Sequence, residues 1–144
     1  METYEELKQR HQREVNELPF FFAFSNEQFS AGMAKFNLSP DDTDKIYRFP
    51  GTGGYYLRTD AKLIHDTLNR HEAERKAAIE ADTKGDCYIF QMFLYELRNH
   101  EFPYTWRLDD TLDALGLTIE EVDNSIPLTN GLRKAIAEIR KQKY

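Results

Sequence analysis

Tyr4, Leu7, His11, Val15 and Leu18 recur at three- and four-residue steps behind Thr3, whose spacing to Glu6 is that of a capping box. That pattern predicts an amphipathic helix ending near Pro19. Phe20 to Phe24 is an apolar run too short for an independent helix and rich in strand formers, which predicts a buried strand. Ser25 and Gln28 repeat the capping-box spacing, and Phe29, Met33 and Phe36 share one face of a short helix that stops at Asn37. Lys45 to Phe49 and Tyr55 to Arg58 are aromatic-rich and flank Pro50-Gly51-Thr52-Gly53-Gly54, the signature of a hairpin. Thr59 is positioned to cap a long helix through about Asp82, which buries Leu63, Ile64 and Leu68 in its first half and is charged and solvated from His71 to Glu80.

Lys84-Gly85-Asp86 reads as a stop followed by a cap. Cys87 to Leu97 is apolar nearly all round, the pattern of a helix surrounded by other elements. Phe102-Pro103-Tyr104-Thr105-Trp106 breaks that pattern. Asp109 then caps a helix that carries Leu112 and Leu115 and ends at Gly116. Thr118 with Glu121 caps a further short helix holding Ile119 and Val122, and the last helix shows Leu132, Ile136 and Ile139 on one face. Helices dominate over a small sheet. The expected fold is α+β, a mainly helical single domain over residues 1–144 with about three antiparallel strands.

Composition narrows the class without naming a chemistry. The chain has 144 residues, 40% hydrophobic and 13% aromatic, enough apolar material for a core and too much for a disordered polyelectrolyte. No apolar run approaches the roughly 18–20 residues that cross a bilayer, and the opening Met1-Glu2-Thr3-Tyr4-Glu5-Glu6 is unlike the basic start of a signal peptide. A cytoplasmic protein is expected. The single cysteine, Cys87, excludes an intramolecular disulfide and any multi-thiolate zinc site, and its place ahead of an apolar run predicts a small buried side chain.

Catalytic and ligand signatures are weak. His71-Glu72-Ala73-Glu74-Arg75 is half of a His-Glu-x-x-His zinc motif, but Arg75 stands where the second imidazole belongs and a guanidinium does not coordinate. Glu96 and His100, one helical turn apart, are the other candidate metal pair, so a metal-dependent hydrolase using His71, Glu72, Glu96 and His100 is one alternative. No Gly-x-Ser-x-Gly elbow is present. The turn around Gly53 lacks the Gly-Lys-Ser/Thr ending of a nucleotide loop, yet Arg48, Tyr56 and Arg58 beside it supply cations and a stacking face. A nucleotide- or anion-sequestering domain built on Arg48, Gly53, Tyr56 and Arg58 is therefore a second alternative. The preferred reading is non-enzymatic and expects no metal and no cofactor.

Charge is the feature with direction. The net charge is -6, and between Leu108 and Leu132 lie Asp109, Asp110, Asp113, Glu120, Glu121 and Asp123 with no lysine or arginine. The segment that follows is basic: Arg133, Lys134, Arg140, Lys141 and Lys143 against Glu138. Either the last helix packs beside the acidic pair and cancels its field, or the six carboxylates face outward and occupy a basic groove on a partner, as a phosphate backbone would. The net charge disfavours direct nucleic-acid binding by the whole domain, leaving phosphate contact to the last helix alone.

Phe93-Leu94-Tyr95-Glu96-Leu97-Arg98-Asn99-His100-Glu101-Phe102, the stretch from Asp109 to Glu121, and the opening Arg13-Glu14-Val15-Asn16-Glu17-Leu18-Pro19-Phe20-Phe21-Phe22-Ala23-Phe24-Ser25 resemble small uncharacterised proteins carried by phages and other bacterial mobile elements. The likeness runs from Glu5 to about Val122 and carries no catalytic residue with it. What the resemblance implies is context. Small acidic proteins of such elements act against host defence by occupying a nuclease or its nucleic-acid groove, with anti-CRISPR proteins the leading type, so the implied partner is a host nucleic-acid-handling protein such as a CRISPR effector nuclease.

Overall fold

The computed structural model describes residues 1–142. Among them are eight α-helices and three short strands, a mainly helical α+β architecture. The chain order is α1 (Tyr4–Asn16), β1 (Phe21–Phe22), α2 (Asn26–Lys35), β2 (Ile46–Phe49), β3 (Gly54–Leu57), α3 (Ala61–Ala81), α4 (Tyr88–Asn99), α5 (Phe102–Thr105), α6 (Asp109–Leu115), α7 (Ile119–Asp123) and α8 (Ile126–Lys141). Residues 13–72 gather into one compact unit; residues 1–12 and 73–142 gather into another.

In the first unit the strands form an antiparallel sheet in the order β1-β3-β2. Tyr55 pairs with Phe21 on one side and Arg48 on the other, and Tyr56 pairs with Tyr47. Directly paired residues share a face and neighbours alternate, so Phe21, Arg48 and Tyr55 project from one face, and Tyr47 and Tyr56 from the other. The Phe21 face packs on α2: Phe21 stacks on Tyr55 at 5.2 Å and meets Phe36 edge-on at 5.3 Å, with Met33 fully buried. Gly32 makes that approach possible, because a Cβ there would lie 2.1 Å from the Phe21 ring. The helix starts as expected, with Ser25 accepting the Gln28 N–H; it ends at Lys35, two residues before the expected Asn37, which follows the Phe36 cap in left-handed backbone, φ 57.

Three expectations for this unit need correction. The run from Phe20 to Phe24 is not a buried strand throughout: only Phe21 and Phe22 pair, and Phe22 and Phe24 are 59% and 78% exposed. A strand covered on one side alternates, so every second ring turns outward. The long helix is not capped by Thr59 either; Arg58–Asp60 form a 3-10 turn that runs directly into α3, in which Leu63 is exposed while Ile64 is buried. His71, expected on a solvated surface, is buried and bonds Glu14 at 3.1 Å.

The second unit is organised around α4. Ile89, Phe93 and Leu97 are fully buried, and a cluster of apolar side chains from α5 to α8 closes around them. Gly131 lets α8 approach, since a Cβ there would fall 2.4 Å from a methyl of Ile89. The cap of α4 is Asp82, not Asp86: its buried carboxylate accepts the backbone N–H groups of Gly85, Cys87 and Ile89 at 2.9–3.1 Å. Cys87 is exposed rather than buried, because Asp82 takes the inward position at this helix start and the Cys87 thiol turns out to Asp86. The capping boxes at Thr3/Glu6 and Thr118/Glu121 are both formed, and Gly116 ends α6 with φ 67. Asp109 does not cap α6. It lies inside the first turn, behind Leu108.

Candidate functional site

Short helices place the acidic residues. Apolar Leu112 and Val122 are buried and orient α6 and α7 against the core, and that orientation turns Asp109, Asp110, Asp113, Glu120, Glu121 and Asp123 to solvent. Glu121 is committed locally, its carboxylate accepting the Thr118 backbone N–H at 3.2 Å. Asp109 lies 3.7 Å from Arg107, with both side chains more than three-quarters exposed, a geometry of little energetic weight. Asp110, Asp113, Glu120 and Asp123 have no ion pair among the described residues.

The basic residues of α8 are directed elsewhere. Lys134 pairs with Asp86 at 3.6 Å, and the Arg140 guanidinium lies 5.8 Å from the centre of the Trp106 ring. Arg133 and Lys141 are exposed, and none of these cations pairs with α6 or α7 among the described residues. Lys143, also counted in the basic block, lies outside the described residues.

Just before α6 the chain presents aromatic surface. Glu101 and Trp106 bracket α5 and both adopt left-handed backbone, φ 60 and 55. Non-glycine residues hold that conformation at a cost of about 1–2 kcal/mol. It is held here by the bond from Trp106 N–H to the Phe102 carbonyl at 2.9 Å and by edge-on contact of the two rings at 5.2 Å. The result leaves Trp106 54% and Tyr104 74% exposed. In the sequence both belong to the Pro-containing aromatic break between two helices, a signal of interruption that does not by itself tell exposed rings from buried ones.

The hairpin candidates are placed apart. Arg48 shares the face of Tyr55, whereas Tyr56 is buried on the opposite face and bonds His65 at 3.4 Å. Arg58 stacks on Tyr47 at 4.6 Å and donates to the Ile46 carbonyl at 3.2 Å. Gly53 lies under the Phe24 ring, and the neighbouring N–H groups of Thr52 and Gly54 bond within the turn.

The metal candidates are likewise engaged. Glu96 is buried, accepting the Tyr4 hydroxyl at 2.9 Å and Lys8 Nζ at 3.0 Å. His100 closes α4 through its backbone, and His71 faces Glu14. The Glu14 carboxyl is held down at about 2 by hydrogen bonds from Arg70 and then His71. Glu72 follows His71 on α3 and is exposed. Among the described residues the one close group of potential metal ligands is Asp82, Asp86 and Cys87. There Asp82 is already a backbone cap, and the hydrogen bond to Asp86, burial and nearby carboxylates push the Cys87 thiol up.

A cleft of about 580 Å³ opens between the first turn of α1 and the side of α4 that carries Gln91, Leu94, Tyr95, Arg98 and Asn99. Those five positions follow helical spacing and share one side of the helix, with polar Gln91, Arg98 and Asn99 at its two ends. Their partners Tyr4 and Glu5 come from the other end of the chain.

No helix among the described residues is long and apolar enough to cross a membrane. No curated protein and no solved structure matches the chain. Residues 3–138 do match a family profile, and the chain with its outward carboxylates and capped helices belongs to that family, the family of unknown function DUF7659.

Proposed function

We propose that this chain is a non-enzymatic protein-binding module of a phage or other mobile element, acting in the bacterial cytoplasm. It occupies the basic groove of a host nucleic-acid-handling protein through the carboxylates of α6 and α7. A CRISPR effector nuclease is the leading kind of target. The observation that carries this reading is the exposure of Asp109, Asp110, Asp113, Glu120, Glu121 and Asp123 without neutralisation by the described cations of α8.

Two further features support it. Asp113 sits in the last turn of α6, and Asp123 is the last residue of α7. Carboxylates at helix C-termini oppose the macrodipole, so these two do not serve helix stability. Exposed Trp106, three residues before Asp109, is of the residue type that anchors interfaces.

The test is capture from a bacterial lysate at low and high salt, followed by competition of the captured protein's DNA or RNA binding. The expected result is a basic nucleic-acid-binding partner, lost as salt rises because exposed charges are screened over about 10 Å at 0.1 M, and displaced from its nucleic acid by this chain. Joint replacement of Asp109, Asp110 and Asp113 by Asn weakens both effects. A partner retained equally at high salt and by the triple variant overturns the proposal.

A further inference from the structure

The cleft beside α4 carries two opposite charges that do not neutralise each other. Glu5 and Arg98 both line it, both are exposed, and neither has an ion pair among the described residues, so their charged groups stand more than 4.0 Å apart. Lys8 on α1 is paired with Glu96 at 3.0 Å, its ammonium 5.0 Å from the centre of the Tyr95 ring, so its charge is already compensated. Between the two walls, Leu94 and Tyr95 supply apolar surface. Gln91 uses its oxygen to accept the Tyr4 N–H at 3.1 Å, which leaves its amide N–H groups as donors, and Asn99 adds a second amide.

We propose that this cleft binds a free α-amino acid with a large apolar or aromatic side chain. A ligand of one sign would set its charge against either Glu5 or Arg98. A zwitterion satisfies both: its carboxylate meets Arg98 and the Asn99 amide, and its ammonium meets Glu5. The few ångströms between the charges of an α-amino acid, with a hydrogen bond added at each end, span a gap wider than direct ion pairing. The side chain lies on Leu94 and Tyr95. The volume lies within the roughly 300–1,000 Å³ usual for small-molecule sites. This site shares no residue with the acidic surface of α6 and α7, so the two readings stand or fall separately.

The test is calorimetric titration of the full chain with L-phenylalanine, L-tyrosine and L-leucine. Two analogues accompany them: 3-phenylpropionate, which lacks the ammonium, and 2-phenylethylamine, which lacks the carboxylate. At least one amino acid binds saturably, and both analogues bind at least about tenfold more weakly, the loss of one charge-assisted hydrogen bond at about 1.4 kcal/mol per decade. Glu5→Gln and Arg98→Gln each reproduce a loss of that size with an unchanged circular dichroism spectrum. The ligand series is read on the unmodified protein, so the outcome does not hang on the variants. Absence of heat and of ligand-induced NMR shifts up to about 10 mM for all three amino acids, or analogues that bind as tightly as the zwitterion, overturns the proposal.

Discussion

The Tyr4 hydroxyl donates a 2.9 Å hydrogen bond to the carboxylate of Glu96, joining the first turn of α1 to the last turn of α4 across 92 residues of sequence. Glu96 is 2% exposed, and Lys8 Nζ completes its coordination at 3.0 Å. Burial, and after it the Glu96 charge, raises the Tyr4 pKa, so the phenol stays a donor at any physiological pH. A buried carboxylate needs donors to offset its lost hydration, and of the two here the Tyr4 hydroxyl is buried while Lys8 is half exposed.

Removing the partners one at a time ranks them. Tyr4→Phe deletes a hydrogen bond to a charged group and lowers stability by about 1.5–3 kcal/mol in urea denaturation. Lys8→Met costs about 1 kcal/mol or less, because the lysine is 45% exposed and its pairing is partly screened. Glu96→Ala strips both donors of their acceptor and opens a void, and costs about 3–5 kcal/mol. Equal effects of Tyr4→Phe and Lys8→Met contradict this ranking.

Gly85 and Gly116 separate backbone strain from lack of space. Both have positive φ, 79 and 67. A Cβ at Gly116 meets nothing within 4 Å, whereas at Gly85 it falls 2.0 Å from the Pro127 carbonyl oxygen. Gly116→Ala therefore carries only the left-handed penalty, about 1–2 kcal/mol. Gly85→Ala adds displacement of the α8 backbone and costs about 3 kcal/mol or more. Thermal denaturation of the two variants measures the difference, and equal melting temperatures refute the close approach.

What the sequence made legible was local. Thr3 with Glu6, Thr118 with Glu121, Asn37 and Gly116 each act within one helical turn, and the hairpin follows from its own glycines. What it hid depends on distant packing. The outward turn of Phe22 and Phe24 follows from α2 covering one sheet face only. Asp82 caps α4 from six residues upstream of it, through a loop bent at Gly85, and thereby displaces Cys87 to the surface. His71 looks like one member of a charged run until its buried bond to Glu14 is seen. For the candidate sites, the acidic block was visible as composition, but its separation from the α8 cations was not.

Glu14 makes the first unit acid-sensitive in a defined window. Its folded pKa, about 2, lies below the ordinary 4.5 because Arg70 and then His71 hydrogen-bond the carboxylate. A depressed carboxyl pKa contributes stability that is present above the unfolded value and lost as pH falls through the folded one. Unfolding followed by tyrosine fluorescence from pH 5 down to pH 2 therefore shows a progressive loss in the wild type that is smaller in Glu14→Gln. Parallel pH profiles of the two proteins exclude this role.

Cys87 is accessible yet poorly nucleophilic. Asp86 accepts its S–H at 3.5 Å, and this bond leads burial and nearby carboxylates in raising the thiol pKa. The thiolate is the reactive form, so alkylation by iodoacetamide near pH 8 is slow and Asp86→Asn accelerates it several-fold. A slower reaction in the variant reverses the assignment.

The carboxylates of α6 and α7 divide by their position along each helix. Asp109 and Asp110 lie in the first turn of α6, where negative charge is favoured, and replacing each by Asn costs about 0.3–1 kcal/mol. Asp113 and Asp123 lie at the opposite ends of their helices, so Asp113→Asn and Asp123→Asn leave stability unchanged or raise it by a few tenths of a kcal/mol. The triple variant Asp109→Asn/Asp110→Asn/Asp113→Asn thus stays within about 1–2 kcal/mol of the wild type, which makes its loss of partner binding readable as a surface effect. Chemical denaturation checks the stability half and the salt-dependent capture the binding half. If Asp113→Asn or Asp123→Asn destabilises by more than about 1 kcal/mol, that carboxylate serves the fold, and the case for an outward-facing docking surface loses one of its supports.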